Sequence, residues 1–304
     1  MRKVLAAPPT VGIDIGGTKI RAGIVSADGI IVRAVTLSTD VSEGRRSILS
    51  SVDKALEELF HSGTNDAVGI GVSTAGVVDR TTGHIVDATQ NLPGWKGTAL
   101  ADHLLARWGL PVVVENDGKA TLIAELCQRP DLSEGITVLL TLGTGLGGAI
   151  AVDGRILDGA NHVAGHFGMS RGTPNADGKT NLLEHYVSGA GLARLVPHQA
   201  RGRLPDSRTI LAEVRSGDRD AVLARDRWVE HIADAIADLR WTIDPRWLIL
   251  GGGVLDARDC WWIALEKQLA SLGTSLRPLP ASCGSDAAML GAARIAISTV
   301  EAAA

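Results

Sequence analysis

Apolar and polar positions along this chain alternate between a short and a long period. From Val11 to Val32, apolar runs are cut by two turns, Gly16-Gly17 and Ala27-Asp28-Gly29, which predicts three antiparallel strands. From Ser42 to His61 the period lengthens, and Ile48, Val52, Ala55, Leu56, Leu59 and Phe60 form one helical stripe. Ala67–Val72 reads as a buried strand that ends in Ser73-Thr74-Ala75-Gly76. Thr98–Trp108 is expected to be a helix, Pro111–Val114 a short strand and Lys119–Gln128 a helix. Beyond Gly191 helices dominate: Thr209–Ser216, then Arg219–Thr242 stopped by Asp244-Pro245, then Ala257–Leu272 and Asp286–Ile297. One more strand, Trp247–Leu250, enters Gly251-Gly252-Gly253.

The stretch Val138–Leu157 repeats the pattern of Val11–Val32: a strand, a Gly/Thr turn, a second strand, an Asp-Gly turn and a third strand. Such an internal repeat implies two related domains. The repeat also explains away Gly143-Thr-Gly145-Leu-Gly-Gly148. This run fits a dinucleotide fingerprint, but that fingerprint must open a helix, and Ala149–Val152 reads as a strand.

Length and composition narrow the picture. A chain of 304 residues favours two domains. With 45% apolar and 21% charged residues it is globular. The net charge of −4, with acids and bases mixed, argues against a nucleic-acid surface. Residues 1–10 carry a short apolar stretch broken by Pro8-Pro9, unlike a signal peptide, and no run is long enough to span a membrane. Cys127, Cys260 and Cys283 are few and far apart, as expected of reduced thiols in a cytoplasmic protein.

The candidate chemistry begins at Val11-Gly-Ile-Asp-Ile-Gly-Gly-Thr-Lys-Ile20. Bare glycines let backbone N–H groups approach an anion, and Thr18 and Lys19 add donors. Asp14 beside such a cradle would repel a phosphate unless a cation bridged them, which suggests a nucleotide with Mg²⁺. The Walker spacing is absent, and an ordinary hairpin turn remains the alternative. Asp117, at the end of a strand, is a candidate general base, since phosphoryl transfer needs one group to take the acceptor's proton. It is equally placed to cap the helix that follows.

Taken together the motifs resemble the ROK sugar kinases, within the sugar kinase/actin-like ATPase superfamily, over nearly the whole chain. VGIDIGGTK looks like the first phosphate motif. Gly71–Asp79 resembles the sugar-side G-x-x-x-P-G-x-V-D, with Ala75 in place of Pro. Asn91–Trp95 is similar to NLPGW and Glu115-Asn116-Asp117 to END. Gly143-Thr144-Gly145 resembles the second phosphate loop, and LILGGGV the adenosine segment. The resemblance implies an α/β, two-domain actin-like ATPase (ribonuclease H-like) fold with an interdomain cleft. It implies a smaller domain of 1–117 plus about 291–304, and a larger one of 118–290. It implies a kinase that phosphorylates the primary hydroxyl of a hexose-like substrate, with Asp117 as base. Gly76, Asn91, Asn116, His166 and Glu184 would line the sugar. Gly16, Gly17, Thr18, Lys19, Gly143, Thr144, Gly145, Gly252 and Gly253 would hold ATP, and Asp14 would position Mg²⁺ directly or through water. Asn91 and Asn116 are also ordinary turn formers. The resemblance suggests a homodimer or homotetramer.

One stretch departs from the family. Where A-G-E-x-G-H is usual, the chain has Ala164-Gly165-His166-Phe167-Gly168-Met169, and Asn175, Asp177 and Leu182 stand at three cysteine positions. Only Gly178 and Glu184 survive of that motif. These residues cannot build a thiolate-rich tetrahedron, so no structural zinc is expected, and packing around Phe167, Met169, Leu182 and Leu183 would replace part of its role. His162, His166, His185 and Asp177 match no familiar ligand spacing. His166 in place of a Glu offers a donor and an acceptor when neutral and only donors when charged. Either it fills space in a glucokinase, or the substrate is an amino sugar, an N-acetyl sugar or a cyclitol. A non-catalytic sugar sensor is the alternative of another class, disfavoured by the retained phosphate loops and Asp117. The family's repressors carry a helix-turn-helix, for which a phosphate motif starting by residue 11 leaves no room.

Overall fold

The structure, a computed structural model, describes residues 8–61, 66–174, 180–197 and 205–303. The chain separates into two compact units: residues 1–128, 158–163 and 286–304, and residues 129–157 and 164–285. Among the described residues no helix is long and apolar enough to cross a membrane.

The first unit opens with β1 (Thr10–Ile15), β2 (Lys19–Val25) and β3 (Ile31–Ser38), the antiparallel strands expected from the two turns. Helix α1 (Arg45–His61) leads to β4 (Ile70–Thr74). A small hairpin, β5 (Val77–Asp79) and β6 (His84–Asp87), follows, which the sequence reading did not anticipate. Then come α2 (Leu100–Trp108), β7 (Val112–Asn116) and α3 (Asp117–Gln128). The sheet order is β3-β2-β1-β4-β7, with β1, β4 and β7 parallel. The buried stripe Ile48, Val52, Ala55, Leu56 and Leu59 of α1 packs into this unit's core.

The second unit contains β8 (Ile136–Leu142), β9 (Leu146–Val152), β10 (Arg155–Ile156), the hairpin β11 (Arg171–Pro174) and β12 (Thr180–Leu182), then α4 (Glu184–Val187), α5 (Gly189–Leu195), α6 (Ser207–Ser216), α7 (Arg219–Thr242), β13 (Trp247–Gly251), α8 (Trp262–Ser271) and β14 (Pro278–Pro280). Its sheet runs β10-β9-β8-β13-β14. A hairpin followed by two parallel strands thus recurs, so the repeat extends over five strands of each unit. The run Gly143–Gly148 turns into β9 rather than a helix, as the repeat implied. Trp228 and Trp261 meet edge to face at 5.3 Å in the core.

The last helix, α9 (Ala287–Ala303), returns to the first unit. It crosses β1 and β4 so closely that a Cβ on Gly12 or Gly71 would run into the carbonyls of Met289 and Ala292. A Cβ on Gly291 would likewise strike the Ala120 carbonyl of α3. This packing keeps α3 with the first unit through Gln128, past the Asp117 expected.

Several helix ends shift by two or three residues from expectation, α9 runs on to Ala303 rather than stopping at Ile297, and one expected helix breaks. Residues 257–272 do not form one helix. Short 3₁₀ turns span Gly253–Cys260, with a break at Ala257, before α8. Fully buried Trp261 donates its indole N–H to the Val254 carbonyl at 3.2 Å, and this inward side chain ends the first segment. Helix α3 starts at Asp117 itself, two residues earlier than expected.

Candidate active site

In the first unit the strand register does most of the positioning. Asp14 of β1 lies opposite Ser73 of β4, and Ser73 and Thr74 lie opposite Glu115 and Asn116 of β7. These residues end three parallel strands, where ligands of α/β sheets collect. The Ser73 hydroxyl donates to Asp14 Oδ1 at 2.9 Å. Burial, and then the nearby charge of Asp117, push the Asp14 carboxyl up to about 6, against the opposing pull of Ser73 and Lys19. Burial also raises Asp117, while the Gly118 N–H and the Asn116 side chain pull it down.

Asn116 caps the helix, a role open to Asp117 on sequence grounds. Its Oδ1 accepts from Gly118 N at 2.9 Å and Lys119 N at 3.2 Å. Its Nδ2 donates to the Gly76 carbonyl at 2.8 Å and to Asp117 Oδ1 at 2.9 Å. Both amide hydrogens are therefore used inside the protein. Asp117 Oδ1 also accepts from Gly118 N at 2.9 Å. Gly76 sits at φ +107°, with the Asp87 carbonyl where a Cβ would be, so only glycine fits.

The first Gly turn is closed by Gly16 N donating to the Lys19 carbonyl at 3.0 Å, and Thr39 Oγ1 donates to the Gly16 carbonyl at 2.6 Å. Thr18 and Lys19 are exposed. The Asn91 carbonyl stands 2.6 Å from where a Gly17 Cβ would lie, so the Gly16-Gly17 turn and the Asn91 loop touch through a bare glycine. The Asn91 side chain is exposed, and Trp95 anchors the loop by donating to Thr74 Oγ1 at 3.0 Å.

The second unit holds the other predicted residues. Between β8 and β9, Gly143 N donates to the Gly145 carbonyl at 3.0 Å, and Gly189 N donates to the Gly143 carbonyl at 2.7 Å. Gly252, at φ +93°, packs on the Leu142 backbone, while a Cβ on Gly253 would meet only open space. Glu184 Oε2 lies 2.9 Å from the position of a Gly145 Cβ. The residues assigned from sequence to sugar and to phosphate thus meet in this unit. Half-buried His166 precedes a 3₁₀ turn, Phe167–Met169, whose Gly168 packs on the Leu146 carbonyl and Glu184 Cβ.

Packing around the altered motif is partly as expected. Phe167 and Leu183 join the second core, but Met169 is 63% exposed and lies outside it. Asn175, Asp177 and Gly178 lie outside the described residues. Among the described residues no group of three or more His, Cys, Asp or Glu could hold a metal ion.

Sequence reasoning missed three features. Ser73 is delivered by register and carries no local signal. Buried Glu115 accepts from Asn116 N at 2.8 Å and pairs with Arg80 at 3.7 Å. Lys119, read only as the start of a helix, is a fully buried cation.

Comparison with known proteins places these features in a family. The ROK family model matches residues 10–299. A glucokinase of Thermotoga maritima is 29% identical, covering 94% of this chain and 96% of its own. An N-acetyl-D-glucosamine kinase of Aliivibrio salmonicida is 32% identical, covering 93% and 97%. A crystal structure of a ROK family glucokinase from Streptomyces griseus in complex with glucose and AMPPNP superposes with a TM-score of 0.82 at 28% identity, covering 95% of this chain and 99% of that one.

Proposed function

The chain belongs to the ROK family and is an ATP-dependent sugar kinase, and from that premise we propose that Asp117 is its general base. The acceptor's primary hydroxyl oxygen forms a bond to the γ-phosphorus, the bond to the ADP oxygen breaks, and the hydroxyl proton passes to the Asp117 carboxylate. The observation that carries this reading is the hold on Asp117, which receives N–H donors from Gly118 and Asn116 at the start of a helix. Burial keeps its affinity for a proton above that of an ordinary aspartate.

The donor set suits magnesium. Asp14 is a half-buried carboxylate raised in pKa by desolvation and then by a second carboxylate, and a divalent cation would relieve that repulsion. Asp14, directly or through water, would hold Mg²⁺, which supplies charge neutralisation to the phosphates. Gly16, Gly17, Thr18 and Lys19 would cradle ATP in one unit, and Gly143, Thr144, Gly145, Gly252 and Gly253 in the other. In this reading Asn116 acts on the sugar through Asp117, Gly76 shapes the wall, and Asn91, His166 and Glu184 read hydroxyls.

His166 where the family carries Glu supports an N-acetyl sugar, amino sugar or cyclitol as the acceptor rather than glucose. The likeness runs to glucokinases and N-acetyl-D-glucosamine kinases alike, so glucose, with His166 only filling space, stands as the second reading. We also read the enzyme as a cytoplasmic homodimer or homotetramer without structural zinc. The decisive experiment measures ADP release with glucose, N-acetylglucosamine, N-acetylmannosamine, glucosamine and a cyclitol. Asp117→Asn should lower kcat by about a hundred- to ten-thousand-fold with ATP binding retained. Near-wild-type turnover in that variant would reject the base assignment.

A further inference from the structure

One segment belongs to a different unit from its neighbours in sequence. Residues 158–163 pack with the first unit, whereas 129–157 and 164–285 form the second. The segment is held by charge. Lys119, two residues beyond Asp117, is fully buried, and its ammonium pairs with Asp158 Oδ1 and donates to the His162 carbonyl at 3.1 Å. His162 Nδ1 meets Asp158 Oδ2 at 2.6 Å, and its Nε2 stands 3.7 Å from Asp79 Oδ1. Asp79 ends the Gly71–Asp79 stretch that resembles the sugar-side motif, and is itself fixed by Thr81 N at 2.9 Å and Thr82 Oγ1 at 2.8 Å. One cluster therefore ties the helix that begins with Asp117, the hairpin after Gly76 and this strap.

Plain packing does not account for this arrangement. An apolar side chain at 119 would fill the space without the desolvation penalty of an ammonium. The best-attested use of a buried ion pair is to fix register. His162 also adopts φ +62°, a left-handed setting uncommon for a residue with a side chain. Strained backbone of this kind persists only where its surroundings over-determine it. The strap is also pinned just beyond its end. Gly165, at φ +85°, packs on Ala149, whose Cα is 2.7 Å from where a Gly165 Cβ would stand. Only Val163, Ala164 and Gly165 lie between His162 and His166 along the chain.

We infer that Lys119, Asp158 and His162 are positioning residues for substrate selection: they fasten the strap 158–163 in one register, and that register sets His166 against the sugar. This rests on the reading of His166 as a sugar-contacting residue. Lys119 acts through Asp158 and the strap, and the chemistry at Asp117 does not require its charge.

The test is a kinetic cycle on the full chain. Lys119→Met, Asp158→Asn and the double variant are compared with the wild type on the best acceptor found. Hydrogen exchange of the ligand-free proteins is measured over residues 158–166. Each single variant should lose exchange protection in the strap and raise the sugar KM by about tenfold or more, with the ATP KM within about twofold. The double variant should be no worse than the worse single, as groups acting on one element are not additive. His162→Gly accepts the left-handed setting but deletes the imidazole, so it supplies the same readout if the buried variants fail to fold. Unchanged protection overturns the fastening whether or not any sugar is phosphorylated. Lost protection with an unmoved sugar KM overturns the link to selection. A fall in kcat alone for Lys119→Met, without one for Asp158→Asn, assigns Lys119 to Asp117 and overturns the proposal. A wild type that turns over no acceptor at all rejects the kinase reading instead, with the exchange result still deciding the fastening.

Discussion

Asn116 performs two tasks with opposite ends of one amide, and two substitutions separate them. Asn116→Ala removes both. Losing the acceptor for Gly118 N and Lys119 N removes a helix cap, at a cost of about 1 kcal/mol. Losing the donor to Asp117 Oδ1 removes a bond to a charged group, of the order of 1.5–3 kcal/mol. That donor favours ionised Asp117, so without it the carboxylate takes a proton at higher pH. Asn116→Asp keeps the cap acceptor. It places a second carboxylate oxygen against Gly76 O and Asp117, and like charge raises the pair's apparent pKa further. The assay is ADP release at saturating ATP from pH 5 to 9, beside a thermal melt. Asn116→Ala should melt a few degrees lower and lose roughly ten- to a hundredfold in kcat/KM at neutral pH, with the acid limb displaced upward. Asn116→Asp should melt closer to the wild type yet be the poorer enzyme at pH 7, recovering as pH rises. An acid limb that stays put in both variants, with kcat/KM within about twofold of the wild type, would refute the coupling of Asn116 to the base.

Asp14 gives a stability prediction of definite sign. Its folded carboxyl is raised from 3.8 to about 6, so the folded protein holds this proton more tightly than the unfolded chain. The ligand-free protein therefore loses up to about 3 kcal/mol as pH rises through that interval. Asp14→Asn should melt higher than the wild type at pH 8, match it near pH 4 and be inactive; a lower melting point at pH 8 would contradict the assignment. Gly17→Ala presses a methyl group into the Asn91 backbone, and should raise the KM for both ATP and sugar by displacing the turn and the loop together. A change confined to ATP would show that the two move independently. Gly71→Ala and Gly291→Ala overpack the seat of α9 and should each cost at least about 1–3 kcal/mol, read as a shift of the denaturant midpoint. Elemental analysis of the purified protein should find less than stoichiometric zinc.

What the sequence disclosed was whatever depends on neighbours along the chain. The Gly16-Gly17 turn, the alternation around Asp14 and the second hairpin at Val138–Leu157 are local patterns, and they appear where expected. Asp117 was legible as a strand-end acid, but its division of labour with Asn116 was not. Both are good caps, and only the backbone path decides which one faces the free N–H groups. Ser73 meets Asp14 through register across two strands 59 positions apart, which no window can reveal. Lys119 and Asp158 are 39 positions apart, and an isolated Lys in a helix pattern reads as a solvated residue. Met169 follows Phe167 in an apolar-looking stretch, yet a one-turn 3₁₀ segment points one inward and the other out. The helix expected at 257–272 breaks because burying Trp261 outweighs continued hydrogen bonding.

The seat of α9 has a consequence for how this protein is made. A ribosome releases β1, β4 and β7 early, but the helix that lies against them arrives only after residue 286. Until then Gly12 and Gly71 present bare backbone with nothing laid against it, and the sheet that carries Asp14, Ser73 and Asn116 has one uncovered face. The second unit, nearly continuous between residues 129 and 285, can complete itself first, a reversal of the usual N-terminal-first order of domain folding. The nascent chain therefore carries the Gly16-Gly17 turn and Asp117 through most of synthesis on an unfinished scaffold. A chain that stops after residue 285 but before α9 would carry a completed second unit on a first unit whose sheet lacks its covering helix.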